Sequence, residues 1–141
     1  MASIFTRIIR RELPAYIVYE DEHAVAFLDS HPKAEGHTLV VPRQEVAAFH
    51  DLPPEAAAHL GTALRTVAGA VMRALGTPHY NLSLNNGAAA GQVVFHVHFH
   101  ILPRQPGTGY PRGTLSLPPA RMEAIAAAIR AAVAAAEPLS G

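Results

Sequence analysis

The chain has 141 residues, of which 50% are hydrophobic and 16% are charged, a balance typical of a folded globular domain. Lysine plus arginine and aspartate plus glutamate number 11 each, so no basic excess favours binding to nucleic acid or to an anionic membrane. Cysteine is absent, which excludes disulfides and thiolate metal sites. No run of about 18 apolar residues occurs, so we expect no membrane-spanning helix and a cytoplasmic location.

Short strands joined by polar turns are predicted in the first third of the chain. β-Branched and aromatic residues are frequent over residues 16–19, 24–28 and 37–41, which we predict to be strands. An acidic turn over residues 20–23 and a loop with proline and glycine over residues 29–36 separate them. Antiparallel pairing through these turns is the simplest arrangement.

Two helices are predicted, one central and one near the C-terminus. The first begins at Pro53-Pro54 and ends at Gly76, because proline fits the first helical turn and glycine the left-handed cap. Its apolar residues recur at three- and four-residue steps: Leu60, Leu64, Val67, Val71 and Leu75. A fourth strand over residues 80–84 follows, and the second helix opens at Pro118-Pro119. With a fifth strand, described next, these elements predict an α+β fold: a five-stranded antiparallel sheet with a central and a C-terminal helix.

The most informative segment is residues 93–102, where histidines alternate with apolar residues. In a strand, His96, His98 and His100 would share one face with Val94 and Leu102. Successive histidines would lie about 6.7 Å apart, at a rise of roughly 3.3 Å per residue. The opposite, apolar face would carry the following residues: Phe95, Val97, Phe99 and Ile101.

Three interpretations of the histidine face compete. The first is a half-buried strand whose outer face is rich in histidine. The second is a metal site with His37 as a further ligand, although no nearby carboxylate is obviously placed to orient the ligands. The third is nucleophilic attack on phosphorus by a neutral imidazole, with backbone N–H groups of the loop over residues 87–91 and the Gln92 amide binding phosphoryl oxygens. We favour the third, because it uses both the strict alternation and the adjacent glycine-containing loop.

The segment from His96 to Leu102 matches the histidine-triad motif, His-φ-His-φ-His-φ-φ, where φ is an apolar residue. The chain resembles the histidine triad (HIT) superfamily, in particular its HINT branch and the bacterial relatives of that branch. Further blocks occur in the family's order: residues 4–14, 20–29, 36–42 and 85–92. The resemblance implies the HIT fold, as a single domain over residues 1–141, and a homodimer.

The resemblance also implies an activity: a purine nucleotide-binding hydrolase or nucleotidyl transferase that cleaves phosphoramidates or related conjugates of nucleotides such as AMP or GMP. His98 would attack the α-phosphorus and form a nucleotidyl-histidine. His100 would contact phosphate oxygens, and His96 and His37 would complete the polar cluster that orients the nucleophile. Asp29 would bind the ribose hydroxyls. The phosphate end would be lined by Asn85, Gly91, Gln92 and Val93, and the base slot by Ile4, Phe5, Ile8, Leu13 and Phe27. No cofactor or metal is implied.

The sequence departs from the family pattern at four positions. Ser3 and Thr6 stand where many bacterial relatives have Cys-x-x-Cys, and Glu45 stands where relatives often have histidine, so we expect no structural zinc. Val93 replaces a common Ser or Thr, which leaves the substrate preference open. A dinucleoside polyphosphate hydrolase of Fhit type and a nucleotide-binding module with negligible turnover are therefore alternatives. We assign no role to the remaining histidines: His23, His31, His50, His59 and His79.

Overall fold

The computed structural model describes residues 1–136 and contains one sheet of five antiparallel strands in the order β1-β2-β3-β5-β4. The strands are β1 (Ile17–Glu20), β2 (Ala24–Leu28), β3 (Thr38–Pro42), β4 (Tyr80–Ser83) and β5 (Phe99–Pro103). The helices are α1 (Ile4–Ile9), α2 (Pro54–Leu75) and α3 (Pro119–Ala136). The predicted α+β class, the five-stranded antiparallel sheet and the central and C-terminal helices are confirmed. The last residues of the predicted domain, 137–141, lie outside the described part. None of the helices within residues 1–136 is long and apolar enough to cross a bilayer.

Both faces of the sheet are covered, which explains why β2 and β3 are buried along their whole length. Side chains of a strand alternate between faces. Ala26 and Val40 therefore join the large core under α2 and α3, whereas Phe27 and Leu39 join a smaller cluster with Phe5 of α1. The sheet separates the main core from the side on which α1 lies.

The helix ends follow the expected local chemistry. Helix α2 begins directly after Pro53 with Glu55 in its first turn, where a carboxylate stabilises the helix dipole. It ends at Gly76, whose φ of 68° is left-handed and costs glycine little. Both predicted starts, at Pro54 and Pro119, are confirmed.

The triad strand is shorter than predicted: it begins at Phe99 rather than at residue 93. The register pairs Val40 with Phe99, and β3 ends two residues later at Pro42, which has no N–H to donate to a ladder. Residues 93–98 instead leave the sheet, and the Val97 N–H donates to the carbonyl of Val46 at 2.8 Å. The apolar alternation survives in part, since Val97 and Ile101 are buried, but Phe95 is exposed rather than in the core.

Helix α1 was not predicted. It has only six residues, too few for a helical period to show in the sequence. Its N-cap is Ser3, whose hydroxyl accepts a hydrogen bond from the Thr6 N–H at 3.1 Å.

Candidate active site

A cavity of about 1020 Å³ opens between α1, the loop after β2 and the triad segment. Eleven of the twelve residues predicted to bind nucleotide line it: Ile4, Phe5, Ile8, Leu13, Phe27, Asp29, Asn85, Gly91, Val93, His98 and His100. The exception is Gln92. Apolar side chains from α1 and β2 line it together with polar groups, a mixture that is common in ligand pockets.

His98 is held in one tautomer by a backbone carbonyl. Its Nδ1 lies 2.7 Å from the carbonyl oxygen of His96. A carbonyl oxygen can only accept, so Nδ1 carries the proton, and in the neutral ring Nε2 keeps its lone pair. The edge-to-face ring of Phe5, with centroids 4.9 Å apart, fixes the imidazole from the side. His98 therefore presents a basic nitrogen in a fixed orientation.

His100 is held in the opposite tautomer by a chain of two hydrogen bonds. The Lys33 N–H donates to Nδ1 of His37 at 3.1 Å, so the proton of neutral His37 lies on Nε2. That Nε2 lies 2.9 Å from Nδ1 of His100 and donates to it. The proton of His100 must then lie on its own Nε2, the far side of a ring that lines the cavity.

Burial favours the neutral form of both His37 and His100. Burial, followed by the neighbouring imidazoles of His37 and His98, lowers the pKa of His100 to about 4. Burial also lowers the pKa of His37, against the opposing effect of Asp29. The site therefore places the donor nitrogen of neutral His100 near His98, whose Nδ1 carries a proton, with ring centroids 5.0 Å apart.

Asp29 lies at the end of β2, beside this pair. Its Oδ1 accepts the N–H of His31 at 2.9 Å, and its Oδ2 lies 3.6 Å from Nε2 of His37. One oxygen thus stabilises the loop, while the carboxylate lines the cavity, where it can accept hydrogen bonds from sugar hydroxyls. The turn contact and the binding role are compatible.

Asp29, His37 and His100 also form a group whose candidate ligand atoms lie within 4.8 Å of one another. A cation there would need the lone pair of Nε2 of His37. The Lys33 N–H occupies the other ring nitrogen, Nδ1, and so places the proton on Nε2. Binding a metal would require this hydrogen bond to break, so the hydrogen-bonding pattern disfavours a resident metal.

His96 contributes to the site through its backbone rather than its ring. The ring is fully buried, with Nε2 2.8 Å from the carbonyl of Pro42 and Nδ1 2.8 Å from the hydroxyl of Ser3. It is not among the residues that line the cavity. The expectation that the three imidazoles share one strand face is therefore wrong: His96 and His98 precede β5, and His96 orients His98 by its carbonyl.

Gln92 stabilises the loop before the triad instead of lining the cavity. Its Oε1 accepts the N–H of Gly87 at 2.7 Å, and its Nε2 donates to the carbonyls of Ala47 and Val94. All of these groups lie within the protein, so the predicted amide contact with phosphate is not formed by this arrangement. The backbone turns sharply at Gly91, whose φ of 96° favours glycine.

Several residues of the cavity were missed by sequence reasoning. His31 and Lys33 line it from the loop after β2, and Glu123 lines it from α3. Closeness to Asp29 in the chain was an available signal for His31. Nothing in the sequence indicated that the backbone of Lys33 sets a histidine tautomer, or that α3 reaches the cavity.

Comparison with known proteins identifies the family. The sequence profile of the HIT domain matches residues 10–107. An uncharacterized HIT-like protein of Methanocaldococcus jannaschii is 46% identical over 106 residues, 75% of this chain and 81% of that protein. The Arabidopsis thaliana protein named adenylylsulfatase HINT3 is 39% identical over 102 residues, 72% of this chain, and this chain spans only about half (52%) of its length. The Schizosaccharomyces pombe protein named adenosine 5'-monophosphoramidase hnt1 is 36% identical over 121 residues, 82% of this chain and 88% of that protein.

A solved structure agrees in fold. The crystal structure of a hypothetical histidine triad nucleotide-binding protein from Sulfolobus tokodaii matches with a TM-score of 0.86 and 32% identity, covering 94% of this chain and 92% of that one. The sequence profile, the relatives and the fold agree, and the chain belongs to the HIT domain family.

Proposed function

We propose that the chain is a purine nucleotide hydrolase or nucleotidyl transferase that cleaves at the α-phosphate of nucleoside phosphoramidates or related conjugates, with His98 as nucleophile. The observation that carries the proposal is the pair of opposite tautomers, with a lone pair on Nε2 of His98 and a proton on Nε2 of His100. Relatives named as an adenosine 5'-monophosphoramidase and an adenylylsulfatase support nucleotide hydrolysis as the reaction class.

The proposed reaction has two steps. Nε2 of His98 attacks the α-phosphorus, the bond from phosphorus to the leaving group breaks, and that group departs with the bonding electrons and takes a proton from solvent. The His96 carbonyl accepts the Nδ1–H more strongly as positive charge develops on the ring. Water then attacks the phosphorus of the nucleotidyl-histidine, the phosphorus–nitrogen bond breaks, and the nucleoside monophosphate leaves.

The remaining residues bind and orient the nucleotide. The Nε2–H of His100 donates to an α-phosphate oxygen, where negative charge increases in the transition state. Phe5 and Phe27, with ring centroids 5.4 Å apart, border the part of the cavity that we assign to the purine. Asp29 accepts hydrogen bonds from the ribose hydroxyls.

The test is hydrolysis of an adenosine 5'-phosphoramidate, followed by AMP release. We expect His98→Ala to abolish turnover, and His50→Ala, at an exposed histidine away from the cavity, to leave it unchanged. Quenching the parent in acid-free denaturant should trap an adenylated peptide that contains His98. Turnover by His98→Ala equal to that of the parent, at matched stability, would show that the mechanism is wrong.

A nucleotide-binding module with negligible turnover is the second candidate, and Val93 is the observation that favours it. Val93 is 84% exposed and lies at the cavity, where it offers no hydroxyl to phosphate or leaving group. Calorimetry with AMP and GMP distinguishes the two functions. Binding without turnover of phosphoramidates or dinucleoside polyphosphates would support the module, and turnover of the dinucleotides alone would support a Fhit-type hydrolase.

We propose a cytoplasmic homodimer as the working form. The sheet ends at β4, which is exposed along its whole length and carries the apolar side chains of Tyr80 and Leu82. Exposed apolar edge strands are commonly covered by a partner. Size-exclusion chromatography with light scattering should give twice the 15.0 kDa chain mass.

A further inference from the structure

Four polar side chains from three separate segments meet behind the nucleophile. Ser3 and Thr6 belong to the start of α1, Glu45 follows β3, and His96 precedes β5. The hydroxyl of Ser3 lies 2.8 Å from Nδ1 of His96, and the hydroxyl of Thr6 lies 2.6 Å from Oε1 of Glu45. Three of them, Ser3, Thr6 and Glu45, stand at positions where the sequence departs from the family pattern, and the structure brings these three together beside His96.

The shortest contacts of this cluster place its protons in one order, and the Thr6 hydroxyl lies farther from the Ser3 hydroxyl and from Nδ1 of His96, at 3.4 Å each. Nε2 of His96 donates to the Pro42 carbonyl, so Nδ1 of the neutral ring accepts, and the Ser3 hydroxyl donates to it. The Thr6 hydroxyl and the Ser3 N–H both donate to Oε1 of Glu45, at 2.6 and 2.7 Å. These hydrogen bonds, that from Thr6 first, lower the pKa of Glu45. Glu45 therefore accepts as a carboxylate at neutral pH.

The cluster is linked to the nucleophile by a single backbone group. Both ring nitrogens of His96 are bonded, so its side chain is held at two ends. Its carbonyl accepts the Nδ1–H of His98 at 2.7 Å. A shift of His96 moves this acceptor, and with it the direction of the His98 lone pair, on which attack depends.

Helix α1 needs this anchorage, because six residues do not form a stable helix alone. Phe5 lies on α1 between the anchoring residues and contacts the rings of both His96 and His98. The carboxylate of Glu45 thus holds the N-terminal turn of α1 through Thr6 and the N–H of Ser3. The same turn holds the buried ring that supports the nucleophile.

We propose that Glu45, acting through Ser3 and Thr6 on His96, is a positioning residue that keeps His98 in its nucleophilic tautomer and orientation. The proposal rests on the proposed function for its kinetic part only, since the tautomer of His98 can be measured without turnover. The competing explanation is that the cluster only fastens α1, and so affects the base slot and not the nucleophile.

The experiment compares Glu45→Gln, which keeps an acceptor oxygen, with Glu45→Leu and Thr6→Val, which remove the hydrogen bond. The matched controls are Glu22→Leu and Thr62→Val, at exposed positions in the β1–β2 turn and on α2. Two quantities are measured: kcat and KM for adenosine 5'-phosphoramidate, and the tautomers of His96 and His98 from ¹⁵N chemical shifts of the imidazole rings.

We expect kcat to fall about tenfold in Glu45→Leu and Thr6→Val, with KM changed less than about threefold, the size typical of losing a supporting hydrogen bond behind a reacting group. Glu45→Gln should recover most of the rate, and both controls should match the parent. The ¹⁵N shifts should show His98 losing its Nδ1–H preference in the two damaging variants alone.

Two results would overturn the proposal. A rise in KM at unchanged kcat would show that the cluster only anchors the base slot, and an unchanged His98 tautomer in Glu45→Leu and Thr6→Val would break the link to the nucleophile. If the parent does not hydrolyse the substrate, the proposed function fails, and the ¹⁵N shifts still decide the positioning role. If Glu45→Leu or Thr6→Val does not fold, Ser3→Ala removes one hydroxyl next to His96, and an unchanged His98 tautomer in that variant would equally refute the proposal.

Discussion

The low pKa of His100 predicts that the protein loses stability in mildly acidic solution, before its carboxylates titrate. The perturbation is a change from pH 7 to pH 4.5. His100 has a folded-state pKa of about 4 against an ordinary value of 6.5. Below pH 6.5 the unfolded chain therefore binds a proton at this residue that the folded chain does not, and the equilibrium moves toward unfolding as the pH falls.

The size of this stability loss follows from the difference of about 2.5 between the ordinary pKa of histidine, 6.5, and the folded-state pKa of His100, about 4. At 1.36 kcal/mol for each pKa unit this is ~3.4 kcal/mol over the whole range. Part of that change falls below pH 4.5, and solvent screens a half-buried ring, so we expect a loss of about 2 kcal/mol between pH 7 and 4.5. Burial also lowers the pKa values of His37 and His96, and both act in the same direction.

Urea denaturation at half-unit steps between pH 7 and 4.5 measures this loss. Paired carboxylates such as Glu35, whose pKa Arg121 lowers, begin to lose their contribution near pH 4.5 in the parent and in a variant alike, so the difference between the two proteins isolates His100. His100→Gln should flatten the pH dependence by about 2 kcal/mol, and His50→Gln, at an exposed ring, should not. Equal slopes in the parent and in His100→Gln would refute the buried neutral imidazole, and with it the tautomer chain from Lys33.

Three further predictions concern the cavity. Asp29→Asn should raise KM for a ribonucleotide substrate about tenfold, with no such loss for a 2',3'-dideoxy substrate, because a charged hydrogen bond contributes ~1.5–3 kcal/mol. An equal loss on both substrates would remove the ribose role. Gln92→Leu should lower the free energy of unfolding by about 2 kcal/mol in urea denaturation, since it leaves the N–H of Gly87 and two carbonyls without their partner. KM should change less than about threefold, and a tenfold KM increase at unchanged stability would instead support a phosphate contact. Phe5→Ala should lower the unfolding free energy by about 3 kcal/mol and raise KM, because the ring is buried against Phe27 and His98. A loss of unfolding free energy below about 1 kcal/mol would show that α1 packs only weakly on the sheet.

The sequence was sufficient for the fold because the decisive signals were local and repeated. Residues 54–75 carry a helical period between a proline start and a glycine cap, and both ends are found where these residues place them. Residues 24–28 carry an apolar run that suits a strand covered on both faces. Helix α1 was missed because its stability comes from the contacts of Phe5 and the cap at Ser3, neither of which a period can reveal.

The composition of the cavity was likewise predictable, but its hydrogen bonds were not. A motif indicates which residues are present in a site, and eleven predicted residues do line one cavity. It does not indicate which partner each polar group takes. Gln92 looked like a donor to phosphate, yet its amide is already bonded to three backbone groups: the N–H of Gly87 and the carbonyls of Ala47 and Val94. Lys33 affects the site by donating its backbone N–H to His37. Every residue except proline has this group, so the sequence gives no signal for it.

The three histidines of the motif differ because the strand ends where Pro42 ends β3. Had the ladder continued through residues 96 and 98, the backbone of His96 would have faced a neighbouring strand, and its carbonyl would have belonged to the sheet. Pro42 has no N–H for a further ladder bond, and its carbonyl accepts the ring N–H of His96. The carbonyl of His96, outside the sheet, accepts from His98. His100, still inside β5, finds a donor in His37 instead of a carbonyl and takes the opposite tautomer. Two histidines that are two residues apart thus hold opposite tautomers, with an acceptor nitrogen on His98 and a donor nitrogen on His100.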